Sequence, residues 1–300
     1  MTDHILVCGS RGQVAQALAE TPLPEGLSFV AHGRPELDLL QPDTVKAALE
    51  DIRPKLVVNA AAYTAVDQAE SDEDAAHALN AAAPGELARL CAERNIPLIH
   101  LSTDYVFDGS KDAPYTEDDP VNPLGVYGRT KRAGEVAVTE ANPDSLILRT
   151  AWVYSPFGKN FCKTMLRVGN QRDELGVVMD QIGNPTSAHD IAEAIAKITT
   201  AILIDGQPVR AGIYHLSGTG EASWADFASA IFEESAASGG PSAKVNRITS
   251  AEFPTPVTRP ANSRLDCSKL QDAYGITIPH WRESMRACVN KLVETGAWTS

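Results

Sequence analysis

The chain has 300 residues, 43% of them hydrophobic, enough for one large domain or two unequal ones around a substantial core. Its 39 acidic residues outnumber 26 basic ones, for a net charge of -13, and Lys and Arg never gather into a run that could track a phosphate backbone, which argues against a nucleic-acid partner. No span approaches the roughly 20 apolar residues of a membrane helix, and MTDHILVCGS has neither the basic start nor the apolar core of a signal peptide, so a cytoplasmic chain with no membrane contact is expected.

Short β-rich runs alternate with alanine-rich helical ones: HILVC then QVAQALAE, LSFVAH then TVKAALEDI, KLVVNA then AAHALNAAAPGELARLCAERN, IPLIHLS then a helix beginning near YGRTK, and finally SLILRTAWV. This rhythm predicts an α/β chain, a Rossmann-type doubly wound parallel sheet with helices on both faces. Past residue 155 it weakens, resumes with SAHDIAEAIAKITTAIL and GIYHLSG, and gives way to a Pro-, Ser- and Gly-rich region with a short helical tail. The expected division is a dinucleotide-binding domain over 1–155, to which 186–217 returns, and a smaller interleaved C-terminal substrate-binding lobe over 156–185 and 218–300. Cys8, Cys91, Cys162, Cys267 and Cys288 are scattered without CxxC spacing and are expected as reduced thiols, and no metal site is readable.

CGSRGQVA follows the first strand and opens a helix, with Gly9, Gly12 and Ala15 in a GxxGxxA pattern. Glycine lets the backbone turn tightly and approach a phosphate, and the helix N-terminus adds free N–H groups and a favourable dipole; a plain strand-to-helix turn also wants glycine. The second strand ends in AHGR, offering His32 and Arg34 where an acid for the ribose 2′-hydroxyl is usual, so a 2′-phosphate would be accepted and the cofactor is NADPH or NADH. Asp38 lies a little later and could reach the adenine end or cap a helix. In NAAAYTAVDQAE, Ala60, Ala61 and Ala62 at a strand end would let a flat cofactor pass close to the backbone, or would begin an alanine-rich packed helix; Asn59 and Tyr63 add hydrogen-bonding groups there.

LSTDYVFDG closes the fourth strand with Ser102, Thr103 and Asp104 at its carboxyl edge, where a Thr hydroxyl could bond a substrate carbonyl or cap the next turn. The segment over 107–126 has little periodicity and three prolines, a length more usual for lids or binding loops. It leads into Tyr127 and Lys131, four apart in YGRTK. On a helix such residues share a face, placing a phenol beside a fixed positive charge. Trp152, after the fifth strand, offers a flat face to a sugar or nicotinamide, or serves the core. Ligands of open parallel sheets bind outside the carboxyl ends of the strands, and Gly9, Gly12, Ala60, Ala61, Ala62, Thr103 and Trp152 all follow strands.

Together GxxGQV, NAAAYTAVDQAE, LSTDYVFDG, YGRTK, RTAWVY and the C-terminal TRPANSRLD resemble, over nearly the whole chain, the dTDP-4-dehydrorhamnose reductase family within the extended short-chain dehydrogenase/reductases. The resemblance implies reduction of the C4 ketone of dTDP-4-dehydro-L-rhamnose to dTDP-L-rhamnose. It makes Tyr127 the general acid and gives Lys131 the nicotinamide ribose and the task of lowering the tyrosine's pKa, while Thr103 stands where serine is usual. It also assigns Gly9, Gly12, Gln13 and Val14 to the cofactor phosphates, Asp38 and Leu39 to the adenosine, and Ala60, Ala61, Ala62 and Tyr63 to the length of the dinucleotide. Val66, Asp104, Tyr105 and Trp152 would line the sugar pocket. Arg259, Asn262 and Ser263 would meet the nucleotide diphosphate, Arg259 through its bidentate fork, unless it forms a surface salt bridge.

Ala15 replaces a third glycine, which only tightens helix packing. Some bacterial members are thought to dimerise through a metal held by acidic residues, but Ala17 stands where the first-helix acid would fall, so that bridge is not expected and the chain is a monomer or a homodimer. Two other readings remain open, another nucleotide-sugar enzyme of the same family and a protein without catalysis. A 4,6-dehydratase would follow the threonine with an Asp-Glu pair, whereas Asp104 is followed by Tyr105, and an epimerase would show a serine-rich strand end. A non-catalytic dinucleotide-binding regulatory subunit could keep the glycine turn without the acid.

Overall fold

The computed structural model describes residues 2–299. Six parallel strands form the main sheet. In chain order the first half runs β1 (Asp3–Cys8), α1 (Gln13–Glu20), β2 (Leu27–His32), α2 (Pro42–Ile52), β3 (Leu56–Asn59), α3 (Val66–Ala69), α4 (Glu73–His77), α5 (Ala83–Ala92), β4 (Leu98–Thr103), α6 (Val126–Ala141) and β5 (Leu146–Thr150). The second half runs β6 (Val153–Tyr154), α7 (Phe161–Gly169), β7 (Glu174–Val178), β8 (Ile182–Gly183), β9 (Thr186–Ser187), α8 (Ala188–Leu203), β10 (Gly212–His215), β11 (Ala222–Ser223), α9 (Trp224–Ala237), β12 (Lys244–Ile248), α10 (Ser268–Tyr274) and α11 (Trp281–Thr295). The sheet order β10-β5-β4-β3-β1-β2 reverses direction at β1, which puts the switch point between β1 and β3, as expected of a doubly wound sheet.

Alternation along a buried strand sends successive side chains to opposite faces. Ile5 and Val7 pack with Val14, Leu18, Ile191 and Ile195 of α1 and α8, while Leu6 and Cys8 pack with Leu49, Leu87, Leu90 and Val138 of α2, α5 and α6. A separate core of Cys162, Leu166, Phe227, Ile231, Trp281 and Val289 joins α7, α9 and α11. Among the described residues there are also three two-stranded ribbons, β6-β9, β7-β12 and β8-β11; the last two pack against α9, while β9 touches both α8 and α11.

The alanine-rich run after β3, expected as helical, stays helical without a gap but is not one regular α-helix. Pro84 has no N–H to offer the Asn80 carbonyl, and between α4 and α5 the helix widens into a π turn over Ala78–Ala82. That widened turn packs against α6, the helix that carries Tyr127.

Candidate active site at the carboxyl ends of the strands

Because all six strands are parallel, Gly9, Ala60, Thr103 and Ala151 leave the sheet at the same edge. Gly9 has φ +105°, a conformation that side chains resist, and its chain passes so near β3 that an added Cβ would lie 3.5 Å from Ala61. Gly12 is the N-cap of α1 and no side chain caps that end, so the first-turn N–H groups face the switch point without a competing side-chain acceptor. A glycine-walled groove over uncapped helix N–H groups, bordered by Ala60, Ala61 and Ala62, suits a dinucleotide pyrophosphate.

Other residues expected along the cofactor have side chains already committed. Gln13 Oε1 accepts from Ser155 Oγ at 2.7 Å and Asn160 Nδ2 at 3.0 Å, which ties the glycine turn to the chain after β6 and leaves backbone N–H as what Gln13 can offer a phosphate. Val14 and Leu39 belong to the buried faces of the sheet. Asp38 Oδ1 accepts from Leu40 N at 3.0 Å, which closes a local turn rather than capping α2, whose N-cap is Gln41. His32 is half-buried and its carbonyl accepts from Gly9 N at 2.7 Å; Arg34 is exposed. Tyr63 donates to Asp72 at 3.1 Å, and its backbone is held by the Asn80 amide.

At the end of β4, Thr103 Oγ1 donates to Asp104 Oδ1 at 2.8 Å and accepts from Tyr105 N at 3.2 Å, and the Tyr127 phenol lies close enough for the hydroxyl to act on it. Tyr127 lies in the first turn of α6, with its ring edge-on to Tyr105 at 5.4 Å. The helix start is capped by a residue that the sequence did not single out: Glu70 Oε1 accepts from Val126 N at 2.6 Å, bringing negative charge to a helix N-terminus. One turn on, Lys131 Nζ donates to the Leu101 carbonyl at 2.7 Å. YGRTK is thus helical and Tyr127 and Lys131 do share a face, but the expected lowering of the tyrosine is not what the structure contains. Burial pushes the Tyr127 phenol up, the Thr103 hydroxyl opposes that, and Lys131 is not among the groups acting on it. Burial pushes Lys131 down to about 8 and Asp104 up to about 6, with Thr103 and Ser263 holding Asp104 back.

Two glycines of α6 explain how it comes so close. A Cβ on Gly128 would overlap the Tyr105 carbonyl, and one on Gly134 would overlap the Asn80 carbonyl of the π turn. Both were visible in YGRTKRAGE, but only the packing shows what they admit.

On the sugar side Val66 is half-buried at the start of α3. Trp152 holds φ +48°, a strained conformation for a tryptophan, with its indole stacked on Trp224 at 3.5 Å between centroids and against Gly183. One face of Trp152 therefore belongs to the aromatic packing around α9. Arg259 Nη2 donates to Asp67 at 3.0 Å across the rim, while its Nε is buried and unpartnered among the described residues.

Asn262 is occupied elsewhere. Its Nδ2 donates to the Lys111 and Ala113 carbonyls at 2.6 and 2.9 Å, and its Oδ1 accepts from Arg264 N at 3.1 Å. The segment over 107–126 is in this way strapped to 262–266, reinforced by Tyr115 N to the Arg264 carbonyl at 2.8 Å and Asp266 N to the Tyr115 carbonyl at 2.8 Å. Replacing Asn262 by Ala should orphan two carbonyls and lower stability by about 1–3 kcal/mol. Limited proteolysis should then cut first within 107–126; a cleavage pattern like that of the parent would show that the strap does not depend on Asn262.

A profile of the RmlD substrate binding domain matches residues 3–294. A dTDP-4-dehydrorhamnose reductase of Sinorhizobium fredii is 48% identical, covering 98% of this chain and 99% of that relative. The Escherichia coli K12 protein of the same name is 41% identical over 98% and 99% of the two chains. The crystal structure of dTDP-4-dehydrorhamnose reductase from Bacillus anthracis in complex with NADP superposes with a TM-score of 0.89 at 33% identity, covering 97% of this chain and all of that one.

Proposed function

The chain belongs to the dTDP-4-dehydrorhamnose reductase family, and we propose that Thr103, Tyr127 and Lys131 carry out its reaction. It is an NAD(P)H-dependent oxidoreductase that reduces the C4 ketone of dTDP-4-dehydro-L-rhamnose to give dTDP-L-rhamnose. The observation that carries the assignment of roles is the convergence at one sheet edge of the glycine turn, the Thr103 hydroxyl beside the Tyr127 phenol and a buried lysine one turn further on.

When bound, the reduced dinucleotide supplies the hydride. Tyr127 gives its phenolic proton to the oxygen that becomes the C4 hydroxyl. Its upward-shifted pKa suits this direction, because the phenol stays protonated at neutral pH and an alkoxide is still a stronger base than a phenolate. Thr103 orients the phenol, and Asp104 fixes the Thr103 hydroxyl through the 2.8 Å bond. Lys131 has three donors, one held by the Leu101 carbonyl, and the others are available to ribose hydroxyls. Gly9, Gly12 and the first turn of α1 take the pyrophosphate, with Gln13 and Val14 contributing backbone, and His32 and Arg34 border the adenosine ribose. Val66, Tyr105 and Trp152 flank the sugar. Arg259 exchanges Asp67 for the diphosphate, with Ser263 beside Asp104, while Asn262 acts indirectly by holding the strap.

On the same reading, 1–155 with 186–217 binds the dinucleotide and 156–185 with 218–300 forms the substrate lobe, a division supported by the separate core around α7, α9 and α11. Five free thiols favour a cytoplasmic setting, and Ala17 favours a monomer or a dimer without a metal bridge.

The test is loss of reduced-cofactor absorbance on adding enzymatically generated dTDP-4-dehydro-L-rhamnose, with NADPH and NADH in separate runs. Oxidation matched by dTDP-L-rhamnose is expected, faster with NADPH if His32 and Arg34 favour a 2′-phosphate. Cofactor binding without turnover on this substrate would refute the reading.

A further inference from the structure

Next to Lys131 lies a buried ion cluster that touches no reacting atom. Glu135 follows Lys131 by one helical turn on α6 and is 0% exposed. Arg149 of β5, 1% exposed, donates to both of its oxygens, from Nε at 2.7 Å and from Nη2 at 2.8 Å. Ser102 Oγ adds a bond at 2.7 Å and Arg132 one at 2.9 Å. Since Lys131 holds the Leu101 carbonyl, two residues of α6 spaced by one turn fasten two consecutive residues of β4 immediately before Thr103.

Buried ion pairs add little stability, because desolvation offsets most of the attraction. The position beside the lysine suggests a different role. A lysine that is 2% exposed tends to lose its charge. The groups facing this side of α6 are His100 of β4, Asp104 and Tyr105 of the following turn, Tyr127 and Arg132 of α6 itself, and Arg149 of β5. Asp67, Glu70, Glu73 and His77, before α5, are exposed, and Glu86 pairs with Arg89 on α5. Among the charged side chains of the described residues, Glu135 is the one that acts on Lys131 so as to favour the ammonium against its burial, beside the Leu101 carbonyl that accepts from it.

We propose that Glu135, oriented by Arg149 and Ser102, is a positioning residue that keeps Lys131 charged and fixed at the end of β4. This rests on the role given to Lys131 above. In the parent chain kcat/KM should fall as pH rises through about 8, where Lys131 deprotonates. In Glu135→Gln, which keeps the shape but not the charge, the alkaline limb should move down by about one pH unit, a roughly tenfold loss near pH 8, with the rate near pH 6 retained. A purely structural residue would instead lower the rate at every pH and leave the limb in place, which would overturn the proposal. If Glu135→Gln fails to fold because Arg149 is left unpaired, the double variant Glu135→Gln/Arg149→Met buries no lone charge and should show a displacement in the same direction, smaller because a nearby positive charge is lost as well. An unmoved limb there, or failure of both variants to fold, would make the pair a stability element and overturn the proposal equally. Lys131→Met separates the two readings: full activity in that variant would refute the role of Lys131 itself.

Discussion

Replacing Tyr127 by Phe is expected to lower kcat by about 10²- to 10⁴-fold, the usual contribution of a placed general acid. The substitution removes one oxygen from a ring held edge-on to Tyr105, and no backbone bond depends on that oxygen. Binding of reduced cofactor, followed by its fluorescence, should therefore be nearly unchanged, and so should the melting temperature. The residual rate should keep its alkaline limb near 8, because that limb belongs to Lys131 rather than to the phenol. Turnover within a few-fold of the parent would mean that water or Asp104, whose carboxyl sits at about 6, supplies the proton, and Tyr127 would lose its role. Loss of cofactor binding together with rate would instead place Tyr127 in the binding of the dinucleotide.

Gly134→Ala should destabilise the chain by about 1–3 kcal/mol, the usual cost of overpacking. Two effects oppose each other. In the middle of α6, alanine gains roughly 1 kcal/mol of helix propensity over glycine. Its methyl, however, would overlap the Asn80 carbonyl, which is backbone and cannot swing aside as a side chain could. The π turn would have to move, and with it the Asn80 amide that bonds both Tyr63 and Thr130. The clash therefore wins, and activity should fall along with the midpoint of urea unfolding. A variant as stable as the parent, or more so, would show that the π turn yields freely and that α6 does not need glycine for its approach.

Period and composition alone were enough for the architecture. Alternating apolar runs and alanine-rich helical stretches specify a doubly wound sheet because each element's burial is written in its own neighbours along the chain. The strand ends were legible for the same reason, so Gly9, Gly12, Ala60, Ala61, Ala62, Thr103 and Trp152 could be placed at one edge from sequence, while Tyr127 and Lys131 joined them through the family resemblance. What the sequence could not supply was the state of these groups. Whether a phenol is raised or lowered depends on how much water and charge surround it, and burial raises the Tyr127 phenol against the Thr103 hydroxyl, with no lowering from the lysine that the spacing put nearby.

Contacts between residues remote in sequence also escaped notice. Glu70 caps a helix that begins 56 positions later, Glu135 pairs with Arg149 across two elements, and Asn262 secures carbonyls about 150 residues away. No local period marks such contacts, since each is made only when the sheet brings distant segments together. The sequence by itself determined which elements form, that they build a doubly wound parallel sheet, and the residue types delivered to its carboxyl edge. Only the tertiary structure decided which of those side chains are free to meet ligand and which are spent on capping, strapping or charge neutralisation, because desolvation and hydrogen-bond satisfaction are properties of the packed interior.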